Sequence, residues 1–230
     1  MKILSLDASA TTSSVAVLED EKLLALYTAN SGHTHSETLL PMIKSTIDTL
    51  KLSIDDIDAF ALSNGPGSFT GVRIGASTIK GLAFGKDKIC VEVSTIEALA
   101  ENLEGFSGLI CPVMNARRDQ VYTGAFLNGK RVLDDSCMQV SELIEIISKY
   151  DAPTYFVGDG YELLENRGVK NFIPTPEMLR YQNAYSVGKV AYRKIKEGKT
   201  TTDINLKIEY LRKPQAERER EERLKGAKDE

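Results

Sequence analysis

The segment from Ala59 to Gly85 constrains the fold most strongly, because it joins an apolar run, a tight turn and a helix signal. Its first four residues are apolar, and a run of that length is typical of a buried strand. Gly65-Pro66-Gly67 forms the turn, since Gly permits positive φ and Pro presets its own φ. Ser68 or Thr70 can then cap a helix that we expect over residues 70–84. A strand, a turn and a helix in this order indicate an α/β protein.

Small residues mark one face of this predicted helix. Gly71, Gly75 and Ala76 lie together at helical spacing. A glycine inside a helix lowers the stability of the helix by about 1 kcal/mol relative to alanine. The presence of Gly71, Gly75 and Gly81 therefore suggests that this helix needs small residues for close packing. We predict that this face packs closely against a second helix, either of this chain or of a partner.

The order of predicted elements is repeated along the chain. Each half contains three strands, a helix, a strand and a further helix, so the pattern predicts a duplicated α/β unit. In the first half, strands are expected at residues 2–6, 15–18, 23–28, 59–62 and 89–93, and helices at 34–50, 70–84 and 95–103. In the second half, strands are expected at residues 108–114, 121–127 and 154–157, and a further strand should begin near residue 130, after the Asn128-Gly129 turn. Helices are expected at residues 141–149, where Ser141 is the predicted cap, and at 183–197. We therefore predict an N-terminal subdomain over residues 1–104, a C-terminal subdomain over 105–212 and a charged tail over 213–230.

Composition limits the compartment and the partners. No apolar run approaches the ~20 residues that a membrane span needs, and the N-terminus becomes polar too quickly for a signal peptide. Cys90, Cys111 and Cys137 are unclustered, so they predict neither a disulfide framework nor a metal site. A net charge of −4 argues against unaided binding of nucleic acid, which requires a basic patch. We expect a reduced, cytoplasmic protein that does not bind a membrane.

The hydroxyl-rich turn at residues 8–14 is a candidate anion site. Asp7 ends the first predicted strand, and Ser9 and Thr11 follow it closely. Backbone N–H groups and hydroxyls in such a turn can hold a phosphate. The same residues are also typical of an ordinary hairpin turn, and the pattern alone leaves both interpretations open.

His33 and His35 are the only histidines of the sequence. Their spacing is not that of a helical metal site, and no Cys or acidic pair lies near them at ligand spacing, so we predict capping or partner contact instead. Thr34 and Glu37 have the spacing of a capping box, which places a helix start there. Pro41 falls inside that helix and should kink it or fray its first turns.

Six segments together resemble the TsaB (YeaZ) family, which belongs to the machinery that makes threonylcarbamoyladenosine on tRNA. They are LSLDAS…SSVAV, HSETLLPMI, NGPGSFTGVRIGASTIKGLAF, STIEALAE, NARRDQVYTGAF and YLRKPQAERE, in order along nearly the whole chain. The run GPGSFTGVRIG is the specific part. The resemblance implies an α/β fold of the duplicated ribonuclease-H-like type, also called actin-like or sugar-kinase-like, with two similar subdomains of mixed sheet plus helices.

The family has a catalytic relative, TsaD, and the resemblance implies that this chain is not the catalyst. In TsaD two histidines of the segment after the equivalent strand bind a metal, whereas here Thr95 and Leu99 stand at those positions. A threonine hydroxyl is a poor ligand for a transition metal, and leucine is no ligand. The implied function is that of a non-catalytic scaffold, which binds and activates a TsaD-like subunit for threonylcarbamoyl transfer to the adenosine next to the anticodon.

The resemblance also implies the partners and the interface. TsaB-like proteins pair with TsaD through two helices, which correspond here to residues 34–50 and 70–84. The interface residues expected on them are His35, Leu39, Met42, Ile43, Gly71, Arg73, Gly75 and Ile79. A TsaE-like ATPase is a further implied partner, and tRNA is contacted only through the complex. A homodimer of the isolated chain is compatible with the same two helices.

Nucleotide binding is left open. The candidate residues are Asp7, Ser9, Thr11, Gly158 and Gly160, with ATP or ADP at an interface of the complex as the alternative, and no metal is assigned. The family often has Asp-Thr-Ser where this chain has Asp7-Ala8-Ser9, and a carboxylate where this chain has Asn115. These two differences argue against nucleotide binding by this chain alone.

Two enzymatic functions compete with the scaffold. The first is an ATP-dependent small-molecule kinase or ATPase of the same fold, with Asp7 as the base or Mg²⁺ partner and Gly158-Asp159-Gly160 near the adenosine. The second is a metalloprotease, against which the missing ligands at Thr95 and Leu99 count directly.

Overall fold

The computed structural model describes residues 1–212, and the predicted charged tail at 213–230 lies outside the described residues. The first sheet contains β1 (Lys2–Asp7), β2 (Ser13–Glu19), β3 (Lys22–Ala29), β4 (Ala59–Gly65) and β5 (Ile89–Ser94). The second sheet contains β6 (Leu109–Arg117), β7 (Gln120–Leu127), β8 (Lys130–Gln139) and β9 (Thr154–Val157). The helices are α1 (His35–Thr49), α2 (Phe69–Ala83), α3 (Thr95–Glu101), α4 (Val140–Ile147), α5 (Tyr161–Glu165) and α6 (Ala184–Lys196), with short 3-10 turns at Ile54–Asp56 and Glu177–Leu179.

The two sheets share one topology. The strand order is β3-β2-β1-β4-β5 in the first sheet and β8-β7-β6-β9 in the second. In both sheets the first three strands form an antiparallel meander, and the first strand pairs in parallel with the fourth. This equivalence of β6–β9 with β1–β4 confirms the predicted duplication. Within residues 1–212 the second sheet has no counterpart of β5.

Local signals in the sequence explain most element boundaries. The Thr34 backbone N–H donates to the Glu37 carboxylate at 3.0 Å, and α1 begins directly after this capping box. The predicted fraying around Pro41 is therefore wrong, because the capped first turn precedes Pro41 and the helix continues through it. The predicted cap at Ser141 is also wrong, because α4 starts one residue earlier with Gln139 as its N-cap. None of the helices within residues 1–212 has the length and apolar character needed to cross a membrane.

Helix α6 packs on the first sheet, although it follows the second sheet in sequence. Its residues Val187, Val190 and Ala191 form one buried cluster with Ile3 and Val91. The Ser5 hydroxyl donates to the carbonyl of Ala184 at 2.7 Å, which fixes the start of the helix over β1. The apolar side of α6 thus covers the N-terminal sheet, although the predicted subdomain boundaries assign α6 to the C-terminal subdomain over 105–212.

Helix α3 packs toward the second sheet, although it belongs to the first half of the chain. Ile96 and Leu99 lie in a buried cluster with Met114 and Phe126. On its other side α3 contacts α6, where Glu101 pairs with Lys189 at 2.8 Å and with Arg193. The two halves are thus joined by a pair of exchanged helices.

Candidate functional site

A cleft of about 550 Å³ lies between the two halves. The walls combine the β1–β2 turn, the loop before α2, the end of β6 and the C-terminal segment. The lining residues are Ser9, Ala10, Thr11, Gly67, Ser68, Phe69, Thr70, Met114, Asn115, Ala116, Arg117, Tyr122, Asp159 and Arg212. The predicted candidates Ser9 and Thr11 are among them, and Asp7, Gly158 and Gly160 are not.

Asp7 is buried beneath the cleft and already has hydrogen-bond partners. One carboxylate oxygen accepts from the Ser9 backbone N–H at 2.8 Å and from the Ser9 hydroxyl at 2.7 Å. The other oxygen accepts a short hydrogen bond from the Ser63 hydroxyl. Burial raises the pKa of Asp7 above its ordinary value, although these hydrogen bonds act in the opposite direction. The Asp7 side chain thus stabilises the end of β1 through these hydrogen bonds, and its predicted contact with a nucleotide stays a prediction.

In the segment Gly158-Asp159-Gly160, Asp159 lines the cleft, whereas the two glycines lie against β6 of the second sheet. A side chain at Gly158 would overlap the Val113 carbonyl oxygen, and one at Gly160 would lie 3.0 Å from it. Gly158 also has φ +111°, a conformation that favours glycine. The close approach of this turn to β6 gives both glycines a structural reason, and their predicted contact with a nucleotide stays a prediction. Burial raises the pKa of Asp159, and the nearby charge of Asp7 raises it further.

The β1–β2 turn is held by the loop before α2 and by α1. The Ser68 backbone N–H donates to the Ser9 carbonyl at 2.7 Å. A side chain at Gly67 would overlap that same carbonyl, which explains the glycine. His35 reaches the turn from α1, with one ring nitrogen 2.8 Å from the Ala10 carbonyl and the other 2.8 Å from the Ser13 hydroxyl. His35 therefore positions this turn in addition to bordering the surface groove described below.

The C-terminal segment crosses from the first half to the second beside the cleft. The Glu209 backbone N–H donates to the Asn64 carbonyl at 2.9 Å. Tyr210 stacks on Phe69 with ring centroids 4.9 Å apart. Arg212 then donates to the Ala116 carbonyl at 3.0 Å on the second sheet. The sequence analysis assigned no role to Tyr210 or Arg212, although both lie in the run YLRKP of one segment that resembles the family.

A surface groove of about 430 Å³ runs between α1 and α2. Its lining residues are His35, Ser36, Leu39, Leu40, Thr70, Arg73, Ile74, Ser77 and Thr78. Leu40 is the most exposed apolar side chain of α1, with 56% of its surface accessible. Arg73 donates to the Tyr210 hydroxyl at 2.8 Å, so the groove borders the C-terminal segment.

Most of the predicted interface residues lie in the core of this chain. Leu39, Met42, Ile43 and Ile79 are at most 3% exposed and belong to the cluster that covers the first sheet. Their side chains face β1, β2 and β4 of this chain, because the apolar stripe of each helix is turned inward, and contact of these residues with a partner stays a prediction. Leu39 reaches only the floor of the groove.

The glycine face of α2 packs on the end of β1. A side chain at Gly71 would overlap the Ala8 carbonyl oxygen, and one at Gly75 would lie 3.1 Å from Leu6. Packing within this chain thus gives Gly71 and Gly75 a structural reason, and their assignment to a partner interface stays a prediction. The small face is needed because α2 crosses the backbone at the end of β1 closely.

Thr95 and Leu99 lie inside the protein. Both are at most 1% exposed, and Leu99 packs in the cluster around Met114. The Thr95 hydroxyl has no hydrogen-bond partner among the described residues. The described residues also contain no group of three His, Cys, Asp or Glu side chains arranged to hold a metal ion.

Comparison with known proteins agrees with the fold and the motifs. Residues 26–218 match the family model of TsaD, tRNA N6-adenosine threonylcarbamoyltransferase. The tRNA threonylcarbamoyladenosine biosynthesis protein TsaB of Bacillus subtilis is 34% identical over 76% of this chain and 80% of that protein. The protein of the same name from Haemophilus influenzae is 28% identical over 92% of this chain and 94% of that protein.

Solved structures agree as well. A Pseudomonas aeruginosa protein described as similar to peptidase YeaZ matches with a TM-score of 0.79 at 25% identity, over 92% of this chain and 99% of that chain. The activator of 2-hydroxyisocaproyl-CoA dehydratase from Clostridium difficile matches with a TM-score of 0.51 at 14% identity over 86% of this chain and 97% of that chain, which shows a shared fold only. The fold is the predicted duplicated ribonuclease-H-like fold. The chain belongs to the TsaB (YeaZ) family of tRNA threonylcarbamoyladenosine biosynthesis proteins.

Proposed function

We propose that this chain is a non-catalytic subunit that binds and activates a TsaD-like catalytic subunit. The reaction of the complex is threonylcarbamoyl transfer to the adenosine next to the anticodon of a tRNA. The names of the relatives support the pathway, since they are called tRNA threonylcarbamoyladenosine biosynthesis proteins. In this proposal the chain contacts tRNA only through the complex and acts in the cytoplasm.

The burial of Thr95 and Leu99 carries the non-catalytic part of the proposal. Leu99 is packed between α3 and the second sheet, Thr95 is fully buried, and neither residue lines the cleft. Two substitutions to histidine would be needed to restore the ligands of the relative, and each new imidazole would have to enter a filled core. Overpacking of this kind destabilises a protein instead of producing an open metal site.

The groove between α1 and α2 is the surface that we propose for the catalytic subunit. It offers the exposed apolar side chain of Leu40 beside the half-buried Ile74, with the cation of Arg73 at its edge. Arginine is one of the residues that most often dominate binding energy at interfaces, and covering the exposed Leu40 with a partner would remove apolar surface from water. We propose that the same surface forms a homodimer when the catalytic subunit is absent and that a TsaE-like ATPase joins the assembled pair.

The competing kinase or ATPase function lacks an available acid at Asp7. Both carboxylate oxygens already accept hydrogen bonds from Ser9 and Ser63, and the side chain is 1% exposed. To bind Mg²⁺ or to take a proton from a substrate, Asp7 would first have to become accessible from the cleft, because only 1% of its surface is exposed.

The proposal is tested by measuring the affinity of the full chain for the TsaD-like protein of the same genome. We expect Leu40→Glu and Ile74→Glu each to weaken binding by at least about tenfold, because each places a charge in the apolar part of the groove. Ser45→Glu is the matched control, since Ser45 is exposed on α1 but does not line the groove. Circular dichroism must show that all three variants remain folded.

Two results would contradict the proposal. Wild-type affinity in both groove variants would place the interface elsewhere. Absence of binding by the unmodified chain, together with ATP hydrolysis by that chain alone, would instead favour the kinase or ATPase.

A further inference from the structure

The C-terminal segment, residues 206–212, is attached to both halves of the molecule. In the first half Leu206 is buried in the cluster that covers the first sheet, and Ile208 packs against the same cluster. In the second half Leu211 packs against the cluster around Met114. The segment therefore joins the two halves beside the cleft, in addition to the exchanged helices α3 and α6.

Beyond Leu206 this attachment depends on few contacts. Leu206 is the one buried residue of the segment. The Lys207 backbone N–H donates a short hydrogen bond to the Glu92 carboxylate. The Glu209 backbone N–H donates to the Asn64 carbonyl at 2.9 Å. Because segments with few buried contacts open at a lower free energy than core strands, the segment can detach from residue 207 onward while both sheets stay folded.

Gly65 at the end of β4 accommodates the backbone of the attached segment. A side chain at Gly65 would overlap the Glu209 carbonyl oxygen. Gly65 also has φ +126°, a conformation that favours glycine. The attached position of the segment therefore depends on a glycine that leaves room for its backbone.

Tyr210 connects the segment to the cleft and to the groove. Its ring stacks on Phe69, which lines the cleft, with the two ring planes 17° apart. Its hydroxyl accepts a hydrogen bond of 2.8 Å from Nε of Arg73, which lines the groove. The guanidinium carbon of Arg73 also lies 5.6 Å from the centroid of the Tyr210 ring, within the range of a cation–π contact. One tyrosine thus contacts a residue of each depression.

Arg73 keeps hydrogen-bond donors for an occupant of the groove. A guanidinium group has five N–H donors, and the Tyr210 hydroxyl takes only the one on Nε. Arg73 is exposed and forms no ion pair within residues 1–212, whereas Arg193 does. An acceptor in the groove can therefore bind the Nη groups while Tyr210 keeps Nε. A carboxylate is well suited, because its charge-assisted hydrogen bonds to a guanidinium group are strong.

We propose that the C-terminal segment is a clasp between the two halves, and that an occupant of the groove tightens it through Arg73. The occupant is the TsaD-like protein, so this coupling rests on the proposed function. A carboxylate of the occupant holds the Arg73 guanidinium group in place, and Tyr210 then docks on a side chain that has already lost its conformational freedom. Arg73 contacts the partner, and Tyr210 is a positioning residue, since it does not line the groove.

The clasp is tested first in the full chain alone, by NMR measurement of hydrogen exchange at the Glu209 amide. We expect Tyr210→Ala to speed this exchange by about tenfold or more, because the contacts with Phe69 and Arg73 are both lost. Tyr27→Ala is the matched control, since Tyr27 is a similarly exposed tyrosine on β3, at the opposite edge of the first sheet from β5. Unchanged exchange of the β1 amides would show that the variants remain folded.

The coupling is tested in the complex with the TsaD-like protein of the same genome. In the unmodified chain, binding should slow exchange at Glu209 by about tenfold. Tyr210→Phe keeps the ring that stacks on Phe69 and removes only the hydroxyl that accepts from Arg73. We expect this variant to bind about tenfold less tightly and to lose the slowing, because both effects arise from one reciprocal coupling free energy.

Four results would overturn the proposal. They are unchanged exchange in Tyr210→Ala, equal acceleration in Tyr27→Ala, a complex in which Glu209 exchanges as fast as in the free chain, and full slowing in the complex of Tyr210→Phe. Failure of the proposed function is recognised separately. If the unmodified chain did not bind the TsaD-like protein, the proposed interface and the coupling would both be refuted, while faster exchange in Tyr210→Ala would still support the clasp.

Discussion

At the scale of single residues, Asp7 is the buried acid whose environment the structure explains most fully. The carboxyl group is 1% exposed and accepts hydrogen bonds from Ser9 and Ser63. Burial raises its pKa above the value of 3.8 that an exposed carboxyl has. At pH values between 3.8 and the raised pKa of the folded state, Asp7 binds a proton more readily in the folded protein than in the unfolded chain. The stabilising contribution of the protonated group is complete below pH 3.8 and is lost as the pH rises through the folded pKa.

We therefore predict that Asp7→Asn makes the protein more stable at pH 7, because the raised pKa shows that the charged carboxylate is disfavoured in the folded state. The amide oxygen can accept from Ser9 while the amide nitrogen donates to Ser63, so the contacts are kept and the cost of a buried charge is removed. Urea unfolding from pH 4 to pH 8 should show the difference from wild type growing with pH. Asp134→Asn, an exposed change on β8, is the control for losing one carboxyl group. A variant less stable than wild type at every pH would contradict this interpretation.

At the scale of elements, helix α2 contains glycines that have the same helix propensity but lie in different environments. Gly71 meets the Ala8 carbonyl oxygen where a side chain would be, whereas Gly81 has no heavy atom within 4 Å of that position. The sequence pattern predicted the helix and the glycine face. It could not show that β1 of the same chain occupies that face, because the spacing of small residues does not specify the neighbour.

We predict opposite effects of alanine at these two positions of α2. Gly71→Ala should destabilise the protein by more than about 2 kcal/mol, because the new methyl group collides with backbone that cannot move aside easily. Gly81→Ala should stabilise it by about 0.5–1 kcal/mol, because it lowers the entropy of the unfolded chain and fills open space. Thermal and urea unfolding measure both changes. Similar effects at the two positions would refute the packing described for Gly71.

At the scale of the whole molecule, the two halves exchange helices. Helix α6 covers the first sheet through Val187 and Val190, while α3 reaches the second sheet through Ile96 and Leu99. A boundary near residue 105 separates the two halves in sequence. In space, however, it cuts through two buried clusters that contain residues from both halves.

We predict that a fragment of residues 1–104 does not fold cooperatively. Without α6 it would expose Ile3, Val91 and the buried alanines of β4, all of which are fully buried in the complete chain. Losing such a cluster removes about 25 cal/mol of stabilisation for each Å² of apolar surface that returns to water. Urea denaturation followed by circular dichroism, with the full chain as control, measures this directly. A sharp transition in the fragment would show that the first half is an independent domain.

The sequence by itself determined the local elements of this protein. The Thr34–Glu37 capping box, the Asn128-Gly129 hairpin and the alternation of apolar runs act over a few residues, and the observed elements agree with them. Only the tertiary structure decided which faces meet: Ser5 bonds to Ala184 and Arg212 bonds to Ala116, pairs that are 179 and 96 residues apart. The physical reason is that an apolar stripe or an arginine determines only the kind of group that it can contact. Which residue supplies that group depends on how the whole chain packs.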